Sequence, residues 1–302
     1  MSPADSLTDS LTDSLTDEVL ASFATTPDAR LRTVLERVVV HLHELVREVE
    51  PTVAEWEAAI GFLTAVGATC DDTRQEFILL SDVLGVSSLV ETVNGSGEGT
   101  ESTVLGPFHM TASPPRELGD SIDDLGGGRR ALVTGRVVDP AGDPVPGAAI
   151  DVWQCTEDGF YDVQQPERQP AGNGRGLFRA DERGRFRFRT VVPGHYPIPT
   201  DGPVGALLGV TRRHPYRPAH VHLLVSAPGF ATLTTHLFVR GSPYLDEDAV
   251  FAVKEGLVVD FAEVDAAVGG DGAQGSSTTE DGMDRPYRHA DVEIVLVPAV
   301  VP

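Results

Sequence analysis

The stretch "YRPAHVHLLV", residues 216 to 225, sets His220 and His222 two positions apart in a segment whose other residues favour a strand. Alternate side chains of a strand share a face, so the two imidazoles stand side by side, about 7 Å apart at Cβ, while Val221 and Leu223 point the other way. Two such rings can converge on one ion, or each can bond separately to backbone or to a carboxylate, as buried histidines commonly do. Further donors decide between these readings. Five tyrosines occur in the chain, and two of them, Tyr161 in "EDGFYDVQ" and Tyr196 in "PGHYPIPTDGPVG", sit where a strand runs out into a loop. A scaffold often presents functional groups at such places, although a single tyrosine there can equally pack its ring and bond its hydroxyl to backbone.

Taken together, two phenols and two imidazoles form a donor set of hard oxygens and borderline nitrogens with no thiolate. That set suits a high-valent hard ion better than zinc or copper(I), and iron(III) fits best because a trivalent ion can deprotonate coordinated phenols. The iron(II) arrangement of two histidines and a carboxylate has no acid available just after His222, where the chain reads "LLVSAPG". No HExxH, GxSxG, GxGxxG or P-loop pattern is present.

The elements that must position these donors fall into two halves. Residues 1–20, with three copies of SLTD, are expected to form a flexible acidic tail, though each Ser or Thr could cap a helix. Residues 21–105 are expected to be helical. Leu31, Val34, Leu35, Val38, Leu42, Leu45, Val46 and Val49 recur at helical intervals up to Pro51, and Thr52 with Glu55 makes a capping-box pattern opening a second helix. Beyond "NGSGEGTEST" the signals change to short strands separated by Gly and Pro. Residues 106–302 are therefore expected to form an antiparallel β-sandwich, giving an α+β fold, with 269–284 a flexible excursion before the last strand. His41 and His43 lie on a helix, where positions two apart do not share a face, so they receive no joint metal role.

A chain of 302 residues with 41% hydrophobic residues can bury a sizeable core. Its formal net charge of -23 argues against nucleic acid and anionic membrane as partners, since both demand a basic footprint. Two distant cysteines, Cys70 and Cys155, suggest a reducing compartment. The opening residues lack a basic and then apolar leader pattern, and no stretch has the apolar length to span a bilayer, so a cytoplasmic location without membrane insertion is expected.

The segments "GPFH", "DVWQCTEDGFYDVQ", "GRFRFRTVVPGHYPIPTDGPVG" and "RPAHVHLLVSAPGF" resemble the intradiol ring-cleavage dioxygenases, iron(III) enzymes that open catechol-type rings between the two hydroxyls. "FILLSDVLGVSSLVE", "ESTVLGPFH" and "TTHLFVRGSPYLDEDAVFAVKEGL" are most similar to the hydroxyquinol 1,2-dioxygenase branch, whereas the catechol branch usually carries Gln where His236 stands. The resemblance implies one iron(III) per chain, with Tyr161 and His220 as equatorial ligands and Tyr196 and His222 as axial ones. It also implies an aromatic diol or triol and O2 as substrates. Tyr196 would leave the metal and take a substrate proton, and Arg217 would stabilise negative charge developing on the ring. A substrate pocket is implied at Leu79, Asp82, Val104, Leu105, Gly106, Pro107, Phe108, Ile198, Pro199 and Val250; Asp82 could otherwise be a solvated or capping acid. The family's helical region implies a homodimer formed through the helices and leaves a bound lipid open. Cys155 departs from the small residue expected there and the SLTD tail has no family counterpart, so neither receives a role. Catechol or a chlorocatechol remains the alternative substrate, and a noncatalytic prealbumin-like binding module is the alternative of another class, which leaves the four-donor set unexplained.

Overall fold

The computed structural model describes residues 3–71, 74–95, 97–109, 112–264, 283 and 286–299, with side chains from residue 13 onward. The excursion expected at 269–284 lies outside the described residues except for Met283.

The SLTD repeats, expected as a flexible tail, are helical instead, in α1 (Pro3–Ser22). The physical reason is in the repeat length: Leu7, Leu11, Leu15 and Val19 recur every four residues, the spacing that lines one helix face. Past the repeats, Thr16 Oγ1 lies 2.9 Å from Nδ1 of His43 on α2 (Ala29–Val49). Asp28 starts α2 by accepting hydrogen bonds from the N–H groups of Arg30 at 2.8 Å and Leu31 at 2.9 Å. The helix stops at Glu50, whose left-handed backbone (φ 50°) precedes Pro51. The expected capping box forms at the start of α3 (Val53–Thr69): Thr52 N–H donates to Glu55 Oε2 at 2.8 Å and Glu55 N–H donates back to Thr52 Oγ1 at 3.2 Å. The stripe of Leu31, Val34, Val38, Leu42, Leu45, Val46 and Val49 is exposed, and α2 buries no residue.

Two compact units divide inside α3, between Thr64 and Ala65. Helices α4 (Glu76–Val83) and α5 (Val86–Asn94) pack against each other in the unit that holds the sheets. In α4, Glu76, Leu79, Leu80, Asp82 and Val83 are buried. Glu76 Oε1 accepts from the N–H of Val204, and Arg213 donates to the carbonyls of Val83 at 2.6 Å and Ala249 at 2.9 Å.

The second unit holds β1 (Arg130–Val138), β2 (Ala149–Trp153), β3 (Arg175–Arg179), β4 (Arg185–Val191), the two-residue β5 (Tyr196–Pro197), α6 (Pro203–Val210), the two-residue β6 (Tyr216–Arg217), β7 (His220–Ser226), β8 (Leu233–Val239), β9 (Val258–Val259), β10 (Ala262–Val264) and β11 (Tyr287–Val295). One sheet has the order β10-β11-β1-β4, a second β3-β2-β7-β8-β9, and β5 pairs with β6 alone. Pairing is mixed rather than purely antiparallel, because β1 runs parallel to β11 and β8 parallel to β9. A chain that returns to a sheet by a long connection is free to pair in parallel, which strand patterns alone do not reveal. Val133, Val137, Phe186 and Phe188 from one sheet meet Ile150, Val152, Phe178, Val221, Leu223 and Leu237 from the other in a single core.

That core uses only one face of the second sheet. The alternation in β7 sends Val221, Leu223 and Val225 inward and leaves His220 and His222 on the opposite face, where they are also buried. No helix among the described residues is long and apolar enough to cross a membrane.

Candidate metal centre

Strand register builds a row of rings on the outer face of the second sheet. Trp153 of β2 lies directly opposite His222 of β7, and His222 lies opposite His236 of β8. Trp153 stacks on His222 with centroids 4.6 Å apart and planes 13° apart, while the His222 and His236 centroids are 4.2 Å apart. His109 packs on Trp153 with centroids 4.4 Å apart and bonds through Nε2 to Asp151 Oδ2 at 3.1 Å.

Three loops bring the remaining donors over this row. The β5–β6 bridge sets Tyr196 opposite Arg217. Tyr161 is held at the mouth of a short turn whose Asp162 accepts two hydrogen bonds from Arg175, at 2.9 and 2.8 Å; Arg175 in turn donates to the carbonyl of Phe108 at 3.0 Å. Arg175 and Asp162 are both buried, so deleting either partner leaves an uncompensated charge and costs about 3–5 kcal/mol. Phe108 stacks on Tyr161 at 4.4 Å, and Gly106 passes so close that an added Cβ would sit 3.1 Å from Cε1 of His222.

The four expected donors meet. Tyr161 Oη is 3.4 Å from Tyr196 Oη, Tyr196 Oη is 3.4 Å from His220 Nε2, and His220 Nε2 is 3.0 Å from His222 Nε2. All four residues are essentially shut off from solvent. Burial pushes both phenols above the usual tyrosine range and holds His220, His222 and His236 well below the usual histidine value, so the imidazoles are neutral. His220 Nδ1–H donates to the carbonyl of Pro218 at 2.7 Å, which turns the lone pair of Nε2 toward the other donors. A neutral nitrogen lone pair, a second imidazole nitrogen and two phenols gathered in a buried space fit a cation of high charge better than they fit one another. The residues present therefore suit iron(III).

Arg217 is fully buried beside this group, its Nη1 donating to His220 Nε2 at 3.3 Å. Its other edge is gripped by Asp248, with Nε to Oδ1 at 3.1 Å and Nη2 to Oδ2 at 3.4 Å, and Asp248 accepts in addition from the N–H groups of Val250 and Ala252. Asp82 is buried with Oδ1 unpaired; burial raises its pKa, partly opposed by the charge of Arg217.

Of the expected pocket residues, Leu79, Asp82, Val104, Phe108, Ile198 and Val250 are buried, Gly106, Pro107 and Pro199 are half-buried, and Leu105 is 40% exposed. Phe108 and Gly106 touch the donors themselves, through Tyr161 and His222. Asp82 and Val250 adjoin the Arg217 and Asp248 pair. Leu105 is the outlier. Cys155 is packed with Tyr161, Tyr196 and Trp153, and burial pushes its thiol up to about 12.

Sequence reasoning passed over His236 as a donor, along with its tether Thr103, the stacking Trp153 and the clamp Asp248. One donor nitrogen each of His220, His222 and His236 lies within 4.8 Å of the others. The signal available was the alternation in "LTTHLFV", which faces His236 away from Leu237; only register then sets it against His222.

Two family models match the chain: one described as catechol dioxygenase N terminus over residues 28–100, and one described as dioxygenase over residues 106–287. A hydroxyquinol 1,2-dioxygenase of Rhizobium sp. is 53% identical over 82% of this chain and 85% of its own length. A 6-chlorohydroxyquinol 1,2-dioxygenase of Cupriavidus pinatubonensis is 50% identical over 80% of this chain and 88% of its own. Among solved structures, a hydroxyquinol 1,2-dioxygenase from Pseudomonas putida superposes with a TM-score of 0.84 at 45% identity, covering 96% of this chain and 100% of that one. A catechol 1,2-dioxygenase from Acinetobacter sp. gives 0.77 at 28% identity, covering 96% and 93%.

Proposed function

The chain belongs to the intradiol ring-cleavage dioxygenase family, and from that premise we propose that it cleaves hydroxyquinol with O2, between adjacent hydroxylated carbons, to 3-hydroxy-cis,cis-muconate, the tautomer of maleylacetate. Both atoms of O2 enter the product. The observation that carries the reading is the meeting of two phenol oxygens and two imidazole nitrogens at 3.0 to 3.4 Å in a buried space.

Tyr161, Tyr196, His220 and His222 would hold one iron(III) per chain. When bound, the ion supplies a Lewis acid that draws electron density from a chelating diol and makes its ring reactive toward O2. The chain's own groups do the rest. Tyr196, which iron(III) would hold as a phenolate, is placed to take a substrate proton, because burial favours its protonated form once it is free of the ion and it stands opposite Arg217 on the β5–β6 bridge. Arg217, held by Asp248 with Nη1 turned toward His220, offers fixed positive charge where the ring becomes anionic. Phe108 supplies an apolar wall against Tyr161, and the unpaired Oδ1 of Asp82 is available to the third hydroxyl of hydroxyquinol. Leu79, Val104, Leu105, Gly106, Pro107, Ile198, Pro199 and Val250 complete the pocket in this reading.

The exposed apolar stripe of α2 supports a homodimer formed through the helical region, with the same apolar surface open to a lipid chain. Two unpaired cysteines support a cytoplasmic setting. Metal analysis, the visible spectrum and oxygen uptake test the central claim together. The expected result is about one iron per chain, a red colour from phenolate-to-iron charge transfer, and uptake on hydroxyquinol. A protein that stays colourless and inactive after iron loading overturns it.

A further inference from the structure

The third imidazole has no place in the four-donor set, yet it is as buried as the others. His236 is fully buried, its Nδ1 is engaged by the hydroxyl of Thr103, and its Nε2 has no hydrogen-bond partner. A buried ring nitrogen left unpaired in a polar cluster points to something absent that would satisfy it.

We propose that the pocket has a second coordination mode, in which His220, His222 and His236 bind a divalent borderline cation, with zinc(II) as the probe, through three imidazole nitrogens and no phenol, and that zinc held this way competes with iron(III).

The geometry is close to what zinc requires. At a Zn–N distance of about 2.05 Å, tetrahedral ligands sit about 3.3 Å apart, and three imidazoles with one open position are a recurrent zinc arrangement. His220 and His222 Nε2 are 3.0 Å apart, and one donor nitrogen from each of the three rings falls within 4.8 Å of the others. Two of the rings are already aimed. His220 Nδ1–H is spent on Pro218, and with Nδ1–H of His236 donating to Thr103 Oγ1, each ring keeps Nε2 as the nitrogen with a lone pair for a metal. His222 is held by the Trp153 stack.

Donor chemistry separates the two modes. Phenolate oxygen suits a hard trivalent ion, whereas zinc takes neutral imidazole readily. The nearby Arg217 does not forbid a cation, because Asp248 meets its charge at 3.1 Å. His236 is thus the residue that distinguishes zinc binding from iron binding, since it serves only the nitrogen mode.

The test starts from metal-free wild-type protein loaded with one equivalent of zinc. Zinc K-edge absorption is expected to show three imidazole shells; two or fewer overturn the proposal without need of any variant. In titration calorimetry, His236→Gln is expected to weaken zinc at least tenfold and Tyr161→Phe less than threefold. Equal weakening by both, or no effect of His236→Gln in a variant whose circular dichroism matches wild type, overturns it. If that variant does not fold, the absorption count decides. Zinc-loaded wild type is also expected to resist the red colour when iron(III) is added, and unimpeded colour overturns the competition. Only this last arm rests on the iron reading: if wild type never colours even without zinc, that reading fails and the zinc results still stand.

Discussion

His222 and His236 face each other directly across the β7–β8 pair, ring centroids 4.2 Å apart, though thirteen residues and a turn lie between them in the chain. Antiparallel register alone creates the contact. On the other side of His222 the same register places Trp153, so His222 is wedged between an indole and an imidazole while its Nδ1 has no hydrogen-bond partner.

The division of labour between donors and Arg217 is separable by mutation. Tyr161→Phe or His220→Ala removes a direct donor and is expected to lose iron and colour. Arg217→Ala is expected to keep both and lower kcat by about 10²- to 10³-fold, the size typical of a missing electrostatic stabiliser. Metal content and stopped-flow turnover on the same preparations check this; normal turnover in Arg217→Ala removes its role.

Asp248 holds Arg217 through two nitrogens and is itself tied to the backbone at Val250 and Ala252. Asp248→Asn keeps an acceptor oxygen but drops the charge that fixes the guanidinium. Its expected effect is a fall in kcat of about tenfold with iron content unchanged, because a misplaced stabiliser acts mainly in the transition state. A variant that loses iron instead would make Asp248 a structural residue.

At Gly106 the backbone takes φ 76°, and a Cβ there would lie 3.1 Å from His222. Gly106→Ala therefore combines a left-handed penalty of about 1–2 kcal/mol with pressure on the His222 ring, a proposed iron ligand. Lower thermal stability together with weaker iron retention against a chelator is the expected pair of changes. Loss of stability alone would show that the ring gives way freely.

Acid should destabilise the metal-free protein through its three buried imidazoles. Burial holds their pKa values well below the ordinary 6.5, so the unfolded chain takes up protons that the folded chain refuses. Stability is then intact above pH 6.5 and falls as pH drops below it, by up to about 1.4 kcal/mol per pH unit for each histidine. His236→Gln removes one titrating group and is expected to flatten the slope between pH 6.5 and 5. Thermal melts across that range measure it.

The candidate donors were legible because a period of two is local: His220 and His222 share a face whatever the sheet order, and Tyr161 and Tyr196 follow strand patterns that end in Gly-containing loops. Caps were legible for the same reason, as at Thr52 and Glu55. What needed the structure is what depends on pairing between distant segments. His236 joins the candidate site through register, Asp248 through the return of a long loop, and β11 lies parallel to β1 across 148 intervening residues. The SLTD tail misled for a different reason: a polar repeat reads as disorder by composition, while its four-residue period is helical.

Substrate choice is expected to turn on Asp82. Its Oδ1 is buried and unpaired, an arrangement that costs about 1–3 kcal/mol unless a ligand supplies the missing bond. Burial raises its pKa, opposed by a hydrogen bond from Ser87 and the charge of Arg217. Hydroxyquinol brings a third hydroxyl that could satisfy that oxygen; plain catechol brings none and leaves it unpaired. A site built to bond a substrate hydroxyl rejects the analogue lacking it, so kcat/KM for hydroxyquinol is expected to exceed that for catechol by tenfold or more. Asp82→Ala should shrink the ratio, chiefly by lowering activity on hydroxyquinol. Oxygen uptake on both substrates with wild type and variant decides the matter. Preference for catechol in the wild type refutes the substrate assignment, whereas an unchanged ratio in Asp82→Ala leaves the assignment standing and takes Asp82 out of its explanation.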